Sequence, residues 1–233
     1  MTTLPSLLAV FAHPDDESLA AGGVLAQHSD SGARTAVVTA TWAEGTGRAG
    51  ELAEALRILG AGEPRMLGYA DARVPESAPG AVRFCDAPLD EAVGRLVAHI
   101  REFRPEIVVT HDAYGNLSGH PDHVHAHRVT VLAVRAAGWG RLYPEAGEPW
   151  EPSALYLATH PESAVRALGR EVGVARARRP LFEFALPLGD PPPAGRAPRR
   201  PPPHLHRASG PASAARASPR TRARPPRSPR CRS

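Results

Sequence analysis

His13, Asp15, Asp16 and Glu17 close the first apolar run of the chain, in Phe11-Ala-His-Pro-Asp-Asp-Glu-Ser18. A second stretch, Gly119-His-Pro-Asp-His-Val-His-Ala-His127, repeats His-Pro-Asp and again places a ligand-type residue, His123, directly after it. Imidazole and carboxylate donors without thiolate suit a divalent ion, and zinc with an open coordination position fits the set best. An ion with an open position can do chemistry. Proline fixes its own φ and pushes the residue before it toward extended geometry, so each His-Pro step ends regular structure and projects the imidazole.

Taken singly, each stretch has another reading. The first would serve as a capped helix start, with Asp15 or Asp16 at the cap and Glu17 near the positive helix end. In the second, Pro121 suits the first turn of a helix, and His123 and His127, at i and i+4, form a rival ligand pair while His125 points elsewhere. Convergence of the two stretches on one ion therefore depends on the elements that carry them.

Apolar runs at Leu7–Ala12, Thr35–Thr41, Arg65–Tyr69, Glu106–His111 and Ala154–Thr159 predict strands. Helical patterns predict helices at Ser18–Ser31, Arg48–Leu59, Leu89–Phe103 and Pro121–Ala137, with Gly60, Pro105 and Gly138 just past three of their ends. The alternation predicts an α/β fold, Rossmann-like and doubly wound, with a mainly parallel sheet and helices on both faces. In strand order 3-2-1-4-5 the first and fourth strands are neighbours whose connections diverge, opening a crevice at their carboxyl ends. Both His-Pro-Asp stretches follow those two strands.

The 233 residues suffice for a domain with a proper core. Net charge is +4, but residues 191–233 hold 11 arginines and no acid, leaving residues 1–190 with 17 arginines, 24 acids and a net −7. An acidic body gives no ground for specific nucleic-acid binding. The tail, with 12 prolines in residues 191–233, lacks the apolar content to fold and is expected to be disordered. A domain over 1–185 and a Pro/Arg-rich tail over 186–233 follow. The acids stop at Asp190 as Arg, Pro, Ala and Ser take over, and no lysine occurs anywhere. That composition is what a shifted reading frame in GC-rich DNA would give; a basic arm evolved for binding is the alternative. Cys85 and Cys231 build neither a disulfide framework nor a CxxC zinc site, which fits a reducing cytoplasm. The run Leu7–Ala12 lacks a basic flank and is too short to span a membrane.

Four phrases, "AHPDDE", "RAGELAEALRILG", "REFRPEIVVTHD" and "GHPDHVHAHRVT", resemble the PIG-L/LmbE-like zinc-dependent N-acetylglucosaminyl deacetylases, a family that includes enzymes of mycothiol metabolism. The resemblance covers about residues 5–160. It implies that His13, Asp16 and His123 ligate zinc, that Asp15 is the general base, and that His120, oriented with Asp122, faces the developing oxyanion. It matches Arg48 to a substrate-contacting arginine; Asp71, after the third strand, is a candidate for a sugar hydroxyl. The implied substrate is a small amino-sugar conjugate such as N-acetylglucosaminyl-inositol, handled without a membrane or nucleic acid. The chain departs from the family at Ser118, where the sugar deacetylases have tyrosine and Tyr114 is a possible substitute, and in its tail, which replaces a closing strand and helix. An amidase acting on mycothiol-type conjugates, or an impaired, frame-shifted member, is the alternative within the family. His160 in His160-Pro-Glu-Ser163 is a further candidate for the cleft wall.

Overall fold

The computed structural model describes residues 3–160. The boundary at 185 and the whole tail lie outside the described residues. Five strands, β1 (Leu7–Phe11), β2 (Thr35–Thr41), β3 (Arg65–Tyr69), β4 (Ile107–His111) and β5 (Ala154–Ala158), alternate with four helices, α1 (Asp16–Asp30), α2 (Gly47–Leu59), α3 (Leu89–Phe103) and α4 (Pro121–Ala137). The strands form one sheet in the order β3-β2-β1-β4-β5, every pairing parallel. This is the expected doubly wound order.

β1 and β2 are buried along their whole length because helices cover both faces. On one face Leu7, Ala9 and Phe11 pack with Leu25 of α1 and with Leu52 and Leu56 of α2. On the other, Leu8 and Val10 pack with Val93, Leu96 and Ile100 of α3 and with Val129 and Ala133 of α4. Each such large side chain removed from water contributes about 2 kcal/mol before ordering costs. The outer strand β5 is less covered: Tyr156 and Leu157 are exposed.

Two of the helices stop by different means. Gly60 adopts the left-handed conformation that ends α2, φ 68°. Gly138 stays right-handed, φ −74°, and the carbonyls at the end of α4 are shared between backbone N–H groups of the following loop and a buried arginine. Arg101 of α3 donates from Nε to Ala137 O at 3.1 Å and from Nη2 to Ala136 O at 3.3 Å and Trp139 O at 3.1 Å. A cation at a helix C-terminus is also favoured by the helix dipole. Among the described residues no helix is long and apolar enough to cross a membrane.

Candidate metal centre

β1 and β4 lie side by side in register, Val10 opposite Thr110, so their carboxyl ends open one crevice at the switch point. From β1 the chain turns through His13 into α1. Asp15 takes a left-handed conformation there, φ 117° and ψ −28°, a strained state for a residue with a side chain, of order 1–3 kcal/mol. Its N–H donates to Glu17 Oε2 at 3.0 Å, while Glu17 is itself fully buried and accepts from Ser18 Oγ at 2.6 Å. This turn starts α1 at Asp16, two residues earlier than the sequence pattern indicated. Asp15 is the N-cap residue of α1, but its side chain makes no capping bond, and Asp16 turns inward to accept the His13 N–H at 2.9 Å.

α4 enters the crevice from the other side. His120 is its N-cap, Nδ1 accepting the Asp122 N–H at 3.2 Å, and Pro121 occupies the first turn. Because Nδ1 is an acceptor, the neutral ring carries its proton on Nε2. Burial, together with the nearby charge of His13, pushes the His120 pKa down to about 4, so at neutral pH this ring is an uncharged donor.

Three donors meet between these elements. His13 Nδ1 lies 3.2 Å from His123 Nε2 and 3.2 Å from Asp16 Oδ2, and His123 Nε2 lies 3.3 Å from Asp16 Oδ1. A tetrahedral ion about 2.0–2.1 Å from nitrogen and oxygen donors holds them about 3.3 Å apart; the two imidazole nitrogens stand at that separation, and the Asp16 carboxylate offers Oδ2 to one and Oδ1 to the other. The outer nitrogens fit as well. His123 Nδ1 lies 3.2 Å from Gly115 O, a bond that leaves Nε2 free. His13 Nε2 lies 3.2 Å from Asp122 Oδ2 and 3.3 Å from Asp71 Oδ2, the carboxylate support typical of a ligating histidine. The residues present fit a divalent ion.

Without an ion the cluster holds a proton. Burial alone would lower the His13 pKa, but the Asp122 and Asp16 carboxylates outweigh it and push it up to about 9. Burial would raise the Asp16 pKa; the imidazole cluster around it, with the proton held on His13, more than reverses that and holds the carboxyl well below the usual range.

The remaining candidates sort by direction. His127 turns its Nδ1 to His111 O at 3.0 Å, and His125 packs edge-on against Phe84 with centroids 4.8 Å apart, so neither ring joins the cluster. Asp15 and Arg48 pair at the mouth, where their side chains are 47% and 36% exposed and open to water. Arg48 also meets Glu51 at 3.1 Å and lies over the Trp42 ring at 5.8 Å. Asp71 is buried; it accepts the Arg73 N–H at 2.7 Å and faces His13. Asp122 meets its expected partner His120 through its backbone N–H, while its carboxylate stands 3.7 Å from that ring. It accepts instead from Ala72 N and Cys85 N, both at 2.8 Å, tying the loops after β3 to His13. Ser118 Oγ sits 3.4 Å from His123 Nδ1. Tyr114 and His160 are exposed, and Pro161–Ser163 lie outside the described residues. The sequence pattern places Glu17 only near the positive helix end and assigns no role to His111, although His111 ends β4 at the switch point.

The comparisons with known proteins agree with this architecture. The profile of the PIG-L family, described as GlcNAc-PI de-N-acetylase, matches residues 8–134. A 1D-myo-inositol 2-acetamido-2-deoxy-alpha-D-glucopyranoside deacetylase of Rhodococcus jostii (strain RHA1) is 41% identical over 187 residues, covering 69% of this chain and 63% of the relative. The protein of the same name from Mycobacterium leprae (strain Br4923) is 42% identical over 199 residues, covering 72% and 64%. The chain thus spans less than two thirds of the length of these relatives. A conserved protein of Thermus thermophilus, of solved structure, is 31% identical, with a TM-score of 0.55 over 74% of this chain and 85% of that one. With more than half of its length matched by the family profile, and both acid-histidine stretches inside that match, the chain belongs to the PIG-L family.

Proposed function

We propose that this site is that of a zinc-dependent amidohydrolase that removes the acetyl group from an N-acetylglucosamine-type sugar, the N-acetylglucosaminyl-inositol class being the first candidate. The observation that carries the reading is the convergence of His13 Nδ1 and His123 Nε2, 3.2 Å apart, on the Asp16 carboxylate, whose Oδ2 lies 3.2 Å from the first and Oδ1 3.3 Å from the second, next to the exposed Asp15 and the uncharged His120. The names of the relatives from Rhodococcus and Mycobacterium support the substrate class. Cysteine usage supports a cytoplasmic setting for the chemistry.

His13, Asp16 and His123 would hold the zinc, which when bound supplies a Lewis acid that polarises the acetamide carbonyl and acidifies the attacking water. Asp15, at the mouth, accepts the proton of that water as its oxygen adds to the carbonyl carbon. His120 donates its Nε2 proton in a hydrogen bond to the developing oxyanion; as a neutral donor it needs no protonation step first. When the carbon–nitrogen bond breaks, the proton on Asp15 passes to the leaving amine, giving acetate and free amino sugar. Arg48 holds the sugar at the mouth and keeps Asp15 oriented. Asp122 and Asp71 hold the His13 ring.

The test is zinc content together with release of acetate and primary amine from N-acetylglucosaminyl-inositol. About one zinc per chain, with activity lost on chelation and restored by zinc, is expected. Chelator-resistant activity would overturn the metal reading, and cleavage of a cysteinyl conjugate with no deacetylation would assign the amidase activity instead.

A further inference from the structure

His111 ends β4 at the switch point, and its side chain is fully buried. Its Nε2 accepts the Ala12 N–H at 3.1 Å. That nitrogen therefore carries no proton and its lone pair is engaged, so its 3.4 Å approach to Asp16 Oδ2 is a contact and not a hydrogen bond. The ring lies flat on the His123 ring, centroids 4.1 Å apart and planes 8° from parallel, and meets Phe11 edge-on at 4.9 Å. The other nitrogen, Nδ1, is buried without a partner.

An unpartnered buried polar group costs about 1–3 kcal/mol. An apolar ring would fill the same space without that cost, but it could not accept the Ala12 N–H. Ala12 precedes His13, and its carbonyl is held from the other side by Thr41 N at 3.0 Å and Thr41 Oγ1 at 2.8 Å. With both ends of this residue anchored, the backbone that projects His13 has one position. The stacked face of the same ring limits the tilt of His123.

We propose that His111 is a positioning residue of the metal centre: by accepting the Ala12 N–H and stacking on His123, it holds two donors at ion-binding separation without itself coordinating. The proposal rests on the metal reading above. The rival assignment, an Asp16–His111–His123 ligand set, is within reach by distance but would require the lone pair that Ala12 occupies.

The test compares zinc affinity, by chelator competition, in the full chain and in His111→Phe and His111→Gln, with circular dichroism to confirm folding and cobalt absorption to report the donor number. His111→Phe keeps a stacking ring and loses the acceptor; its zinc Kd should rise about 10–100-fold with the cobalt spectrum retaining its tetrahedral intensity. His111→Gln, whose Oε1 stands where Nε2 was, should recover part of that loss. If the phenylalanine variant does not fold, His111→Leu removes the same acceptor in a smaller side chain. Wild-type affinity in a folded acceptor-less variant would reduce His111 to a core residue and overturn the proposal. Loss of one nitrogen donor from the cobalt spectrum in both variants would make it a ligand and overturn it equally. Failure of the wild-type chain to bind zinc would instead refute the metal reading itself.

Discussion

Lowering the pH from 8 to 7 should weaken zinc binding about tenfold. In the proposed site the ion binds at His13 Nδ1, and in the ion-free protein a proton competes for that ring because Asp122 and Asp16 outweigh burial and push its pKa up to about 9. Below that value the lone pair is free in about one molecule in ten at pH 8 and one in a hundred at pH 7, so each unit of pH changes the apparent affinity by about 1.4 kcal/mol. The sign follows from the direction of the shift: a raised pKa means that the proton is bound, and rising pH removes it and tightens binding until the effect levels off near pH 9. The same proton stabilises the ion-free fold. That contribution is fully present below the ordinary histidine pKa near 6.5 and is lost as pH rises through 9, so the chelated protein should melt at a lower temperature at pH 10 than at pH 7. Calorimetric titration in two buffers of different ionisation enthalpy counts the protons released, and about one per ion is expected at pH 7.5. A Kd that stays flat between pH 7 and 8.5, or binding with no proton release, would refute the account of His13.

Asp15→Asn should keep zinc while losing most turnover, because an amide cannot take the proton of water; a metal-free variant would show that Asp15 is a ligand. His120→Ala should also keep zinc and lose about 10²–10³ in kcat as a single oxyanion donor does, and an unchanged kcat would remove it from the reaction. Gly115→Ala should weaken zinc at least about tenfold, since at φ +75° its Cβ would stand 3.0 Å from Val124 Cγ2 and 3.1 Å from His120 O, displacing the carbonyl that orients His123; zinc titration decides it. Arg101→Met should destabilise the fold by about 1–3 kcal/mol, since the carbonyls of Leu142 and Gly147 lose their charged donor while those of Ala136, Ala137 and Trp139 keep a backbone N–H, and a denaturation midpoint equal to that of wild type would sink this.

The strands and their order were legible because β1 is an unbroken apolar run, β2 a run of small, apolar and β-branched residues, and because helical periodicity separates them; these signals are local, and α3 and α4 carry the residue limits that the pattern alone indicates. The two His-Pro-Asp stretches likewise pointed to one site, since both follow strands that are neighbours in the expected order. What local pattern does not contain is direction. Whether α1 begins at Asp16 or Ser18 depends on the left-handed turn at Asp15, held by the buried Glu17. His123 and His127 share a helix face in any sequence reading, yet only His123 reaches the cluster, because the β4 carbonyl at His111 takes His127. Asp122 was expected with His120, which it meets through its N–H; that its carboxylate turns to His13 follows from the loop N–H groups of Ala72 and Cys85 that aim it. The role of His111 depends on Ala12, 99 residues away in the chain. Residue types and element order are properties of the chain, whereas the protonated nitrogen and the facing lone pair are set by hydrogen bonds between segments that become neighbours only when the sheet forms.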